Sequence, residues 1–204
     1  MAAPKICELD AMAADEYPLY FFDANIWIAY LKQQRGYTID RDEAKYVKFF
    51  EDIIELHTNQ HLSPRFLPKI VMPALVLTET INALIRHECE RYFKLNPLPN
   101  GEKAIFKKHY RPLEEYRKKL RKIVTDIQSV GDYLELWDDN FSKQPILNTF
   151  SSNPDFDFND YYYSLLFKGN KVAIVTHDND YSLFPDIIVI TCNRNLLRAG
   201  KLFS

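Results

Sequence analysis

Short apolar runs that stop abruptly at polar residues alternate along this chain with longer stretches whose apolar positions recur every three or four residues. Leu19-Tyr-Phe-Phe22 halts at Asp23, and Ile26 to Leu31 follows after Asn25, so a strand feeds a helix. From Asp42 to Leu56 the apolar positions Tyr46, Val47, Phe49, Phe50, Ile53 and Ile54 predict a second, amphipathic helix. Lys69-Ile-Val-Met72, bounded by Pro68 and Pro73, predicts a buried strand, and Leu75 to about Arg91 a long helix. The turn-forming cluster from Asn96 to Gly101 ends that pattern. A long amphipathic helix is predicted from Pro112 to about Trp137, bent near Gly131, with a loop from Gln144 to Pro154 behind it. A helix from Asp157 or Asn159 to Phe167, a strand at Val172 to Val175 and a last strand at Ile187 to Ile190 complete the reading.

Strands alternating with helices imply an α/β fold with a central, mainly parallel sheet covered on both faces. The 204 residues suit one domain, 1–204. Between about 92 and 154 the pattern offers helix and loop but no strand, which reads as a helical insertion on the α/β core. The first dozen residues are expected to be loosely ordered.

Composition narrows the function classes only slightly. With 26 basic against 28 acidic side chains the net charge is -2, so polyanion binding would need a local basic patch. Three widely spaced cysteines, Cys7, Cys89 and Cys192, do not form a secreted disulfide pattern, and no apolar run approaches a bilayer span. No membrane association and a cytoplasmic location are the expectation.

The candidate chemistry is acidic. Asp23 closes the first strand, Asp160 stands near a helix start, Asp178 and Asp180 follow a later strand, and Glu79 lies in Leu-Thr-Glu-Thr. Ligands in open α/β sheets gather beyond strand C-termini. Hard carboxylates without a His/Cys pattern suit Mg²⁺ or Mn²⁺, which would also relieve their mutual repulsion. Each acid has a plainer reading: Asp23 as an N-cap, Glu79 on a solvated stripe with Asn82 and Arg86, Asp157 with Asp160 as a capping pair, Asp178 with Asp180 as an Asx turn.

Taken in order, Asp23-Ala-Asn25 after an aromatic strand, Glu79, Asp160 opening a helix, and Val-Thr-His-Asp178-Asn-Asp180-Tyr resemble the PIN-domain nucleases, the superfamily that includes the VapC-type toxins of toxin–antitoxin pairs. The resemblance covers about 19–91 and 156–190. It implies a three-layer α/β/α sandwich with a helical insertion, and a metal held by Asp23, Glu79, Asp160 and Asp178, with Asp180 a secondary candidate. Asn25 and Thr176 would orient ligands from behind. Two departures stand out: Tyr181 where phenylalanine is common, and the run Tyr161-Tyr162-Tyr163, read as helix packing rather than base stacking.

By the same resemblance the chain would be a divalent-metal-dependent endoribonuclease, hydrolysing RNA to 5′-phosphate and 3′-hydroxyl ends. Its expected role is the toxin of a pair, with a protein antitoxin and a homodimer as expected partners. The alternatives are a housekeeping RNA-processing nuclease, favoured by the helical insertion, and a PIN-like module that binds RNA or protein without cutting. The one dense basic segment includes Lys118, Lys119 and Lys122, candidates for RNA contact, although Glu114 and Glu115 stand four residues before Lys118 and Lys119 as helix partners would. His57 and His61 lack the glutamate of a zinc-protease motif between them and read as a helix end.

Overall fold

A computed structural model of the chain describes residues 3–58, 67–138 and 157–201. The layering follows from one strand, β2 (Leu19–Phe22), whose side chains alternate between two faces. Tyr20 lies 5.5 Å from Phe49 and Phe22 4.8 Å from Phe50, both on α2 (Arg41–Thr58). Phe21 points the other way and packs at 4.6 Å on both Tyr163 and Phe167 of α5 (Phe158–Phe167). The sheet is therefore sandwiched between helical layers, a three-layer α/β fold.

The other strands are β1 (Lys5–Glu8), β3 (Lys69–Pro73), β4 (Leu134–Trp137), β5 (Val172–Val175) and β6 (Ile188–Thr191). They run in the order β1-β6-β5-β2-β3-β4 with every pairing parallel. Central β5 is buried at all four positions, which is why it reads as an unbroken apolar run instead of an alternation. From β2 the chain builds outward through β3 and β4, then returns to the opposite side of β2 for β5 and β6. The direction thus reverses between β2 and β5, and at such a switch point a crevice opens beyond the strand ends.

Two expectations are corrected and one element is added. The helix predicted to reach Trp137 stops earlier: α4 covers Glu114–Gln128, a turn occupies Gly131–Tyr133, and β4 then pairs with β3 from Ile70↔Leu134 to Pro73↔Trp137. The insertion at about 92–154 thus includes a sheet strand. It was hidden because Ile127, Val130 and Leu134 continue helical spacing, while this edge strand leaves Glu135 and Leu136 exposed and shows no alternation. At the N-terminus, residues expected to be loose form β1, in register with β6 from Lys5↔Ile188 to Glu8↔Thr191. Four residues with charged ends are too short a signal to announce a strand. Finally, an unforeseen helix α6 (Arg194–Lys201) packs on β1, where a Cβ on Gly200 would meet Ile6 Cβ at 2.9 Å. His61 and the loop expected at 144–154 lie outside the described residues.

The remaining helices, α1 (Ala24–Gln33) and α3 (Ala74–Leu95), are tied to α4 by a buried ion network. Arg35, just past α1, donates from Nε and Nη2 to Asp126 Oδ2 at 2.9 Å each and lies 3.7 Å from Glu88. Glu88 also receives the Tyr37 hydroxyl at 2.9 Å and sits 3.3 Å from the Lys119 ammonium. Among the described residues no helix is long and apolar enough to cross a membrane.

Candidate metal centre

Register alone brings the first two acidic segments together. Phe22 pairs with Val175, so the residues that leave β2 and β5, Asp23 and Thr176, emerge side by side, and the Asp23 amide donates to the Val175 carbonyl at 3.1 Å. Asp23 precedes α1 but its carboxylate does not cap the helix. It accepts from the buried Thr176 hydroxyl at 3.0 Å, and the same hydroxyl oxygen accepts the Asp178 amide at 3.0 Å. One threonine thus holds both acidic segments.

Asp178 Oδ1 accepts the Asp180 amide at 2.9 Å, so the Asx turn is real and carries Asp180 inward. On α5 the capping duty falls to Asp157, which accepts the Asn159 amide at 2.8 Å. That frees Asp160, in the first turn and only 7% exposed, to face the crevice acids. Ligand oxygens of Asp160, Asp178 and Asp180 all lie within 4.8 Å of one another. Asp180, ranked behind the others from sequence, therefore stands in the tightest trio. Glu79, half-buried on α3, accepts from Asn159 Nδ2 at 3.2 Å and is held at the side of the cluster. Asn159 was not anticipated, although its position immediately before Asp160 was the available signal. Asn25 is exposed on α1, with no hydrogen bond to these acids.

The electrostatics are those of uncompensated charge. Burial, then the charges of Asp23, Asp178 and Asp157, push the Asp160 carboxyl from an ordinary 3.8 up to about 8. Burial lifts Asp23 from 3.8 to about 6 against the Thr176 hydrogen bond, with Glu79 and Asp178 adding to the rise. Glu79 is raised by burial, opposed by Asn159. Among the described residues no lysine or arginine pairs with Asp23, Glu79, Asp160, Asp178 or Asp180. All-oxygen donors and repulsion with no counter-charge among the described residues fit a hard divalent cation, which would supply the missing positive charge.

The basic segment of α4 is largely committed elsewhere. Lys119 lies 3.3 Å from Glu88 and 3.7 Å from Glu115, and Lys122 2.6 Å from Asp126. Glu114 pairs with Arg117 and Arg121, leaving Lys118 exposed. Glu88 is nine residues beyond Glu79 on α3, roughly 13 Å along the axis. His57 ends α2 with Nε2 at 2.6 Å from the Pro68 carbonyl oxygen. Tyr162 and Tyr163 are buried in packing.

No family model matches the chain, and no curated protein matches it. Among solved structures, the crystal structure of VapBC2 from Rickettsia felis bound to a DNA fragment from their promoter is similar at a TM-score of 0.42 and 13% identity, covering 84% of this chain and 96% of that one. A likeness of that size leaves the reading of function to the site itself.

Proposed function

We propose that this chain is a nuclease that uses Mg²⁺ or Mn²⁺ to hydrolyse phosphodiester bonds, with RNA as its substrate. The observation that carries the reading is the trio Asp160, Asp178 and Asp180, with ligand oxygens within 4.8 Å, at the switch point of a parallel sheet, with Asp23 beside it and, among the described residues, no lysine or arginine to balance it. RNA as the polymer rests on the resemblance to PIN-domain nucleases.

Asp160, Asp178, Asp180 and Asp23 would hold the metal, with Glu79 at its flank. The bound cation would polarise a phosphoryl oxygen and acidify the attacking water. The protein's own work is to prepare the carboxylates. Thr176 fixes the Asp23 orientation by donating to Oδ2 and anchors the Asp178 backbone. Asn159 orients Glu79. Asp160, with its carboxyl raised to about 8, would keep its proton near neutral pH without a cation and give it up on loading. Lys118, exposed on α4, is free to meet a phosphate of a bound strand.

The test is cleavage of a mixed single-stranded RNA pool with Mn²⁺, comparing the native chain with Asp160→Asn. Cleavage by the native chain that requires the metal and disappears in the variant is expected. Undiminished cleavage by Asp160→Asn, or none by a folded, metal-loaded native chain, overturns the reading.

A further inference from the structure

A second group of donors converges on the same edge of the sheet, but its chemistry differs. Asp42 lies in the first turn of α2, His177 in the loop leaving β5, and Cys192 directly after β6. A carboxylate oxygen, a ring nitrogen and the thiol sulfur of these three lie within 4.8 Å of one another. They line a cleft of about 570 Å³, and no two are near in sequence, so no motif could have announced them.

Two of the three residues are held in place by groups that are not themselves donors to the cluster. The hydroxyl of Tyr46, whose side chain is buried, accepts the Cys192 amide at 2.9 Å and lies 3.2 Å from His177 Nδ1. It also donates to the Thr176 carbonyl at 3.0 Å, so one atom ties together both loop segments. Asn193 Nδ2 donates to the His177 carbonyl at 2.6 Å and fixes the backbone of the same residue. Outer partners that orient a ligand's ring are a regular feature of metal sites.

We propose that Asp42, His177 and Cys192 form a second cation site, one for a borderline-soft divalent ion of the Zn²⁺ class. Nitrogen, sulfur and one carboxylate are ligands that zinc takes and that magnesium does not. Three protein ligands leave a fourth position to water or to an oxygen of a bound molecule. Positive charge on the cleft wall does not forbid it: Lys45 is held by Asp10 at 2.6 Å, and Arg41 and Arg194 are exposed, where water and salt screen them. Occupancy would clamp the start of α2 to the ends of β5 and β6. The proposal is independent of the nuclease reading, because it uses none of the carboxylates of that centre.

Titration of the metal-free full chain with Co²⁺, in excess Mg²⁺ to fill the oxygen-only centre, tests it. The expected result is a thiolate-to-cobalt charge-transfer band with tetrahedral visible bands, saturating at one equivalent and discharged by Zn²⁺. Cys192→Ser should abolish the thiolate band, and Asp42→Asn, at an exposed position, should weaken Co²⁺ binding at least about 10-fold, no less than loss of an outer-shell partner costs. Asp160→Asn should keep the band. No thiolate band in the native chain overturns the proposal, as does a band that survives Cys192→Ser, which would assign it to Cys7 or Cys89. Unchanged affinity in Asp42→Asn, or loss of the band in Asp160→Asn, overturns it as well.

Discussion

Two regions of this molecule bury several charged groups, and they treat them oppositely. Around Glu88 and Asp126, Arg35, Lys119 and Lys122 supply a cation for each buried carboxylate, and the network joins the end of α1 to α3 and α4. At the switch point, no lysine or arginine among the described residues pairs with Asp23, Asp160, Asp178 or Asp180, and Asp160 is driven to about 8. The first region is complete within the described chain and serves the fold. The second is unbalanced among the described residues, which costs stability and fits the proposed role of holding an external cation. Charge neutrality, more than burial or acid content, separates a structural cluster from a candidate site.

Breaking the second region should have the largest effect on activity and the smallest cost to folding. Asp160→Asn is expected to lower metal-dependent cleavage by more than about 100-fold, beyond the loss typical of an outer-shell change, while raising the thermal midpoint of the metal-free protein at pH 8. Paired activity and melting measurements check both halves. A fall in the midpoint would show that the carboxylate is structural. Breaking the first region should do the reverse. Arg35→Met leaves Glu88 and Asp126 short of a cation, and urea unfolding should show a loss of about 3 kcal/mol, with cleavage by the remaining folded protein unchanged.

Thr176→Val removes the hydroxyl that orients Asp23 and anchors Asp178, so calorimetric titration with Mn²⁺ should show affinity about 10-fold weaker, with little change in fold. The pH dependence sharpens the contrast further. Asp23 and Asp160 have folded-state pKa values above the ordinary 3.8, at about 6 and about 8, so between those limits the folded protein holds more protons than the unfolded chain. Their contribution to stability is present below about pH 4 and is lost as pH rises toward 8. Melting of the metal-free protein should therefore fall across that window, and Mn²⁺ should flatten the slope. Neutralising Lys118 should be mildest, within about 0.5 kcal/mol in stability, and should reduce the salt dependence of RNA binding.

Much of the fold was legible because its central strands are unbroken apolar runs and its helices carry long periodic faces. Lys69–Pro73 and Val172–Val175 announced themselves by composition alone. The two edge strands did not, since β1 and β4 are short, half-solvated and flanked by misleading neighbours, and their existence depends on the strand each one pairs with. Among the site residues, Asp23, Asp160 and Asp178 could be nominated from their places at element boundaries. The standing of Asp180 could not, because it depends on which way the Asx turn at Asp178 carries the next residues.

The sequence by itself determined the alternation of strand and helix, the parallel class of the sheet and the supply of carboxylates at strand ends, because periodicity and strand termination are local properties of the chain. Only the tertiary structure decided which charges have partners. Neutralisation of Glu88 by Arg35 and Lys119, the sharing of Thr176 between Asp23 and Asp178, and the meeting of Asp42, His177 and Cys192 all join residues far apart in the chain. Electrostatic balance is a sum over neighbours in space, and only folding chooses the neighbours.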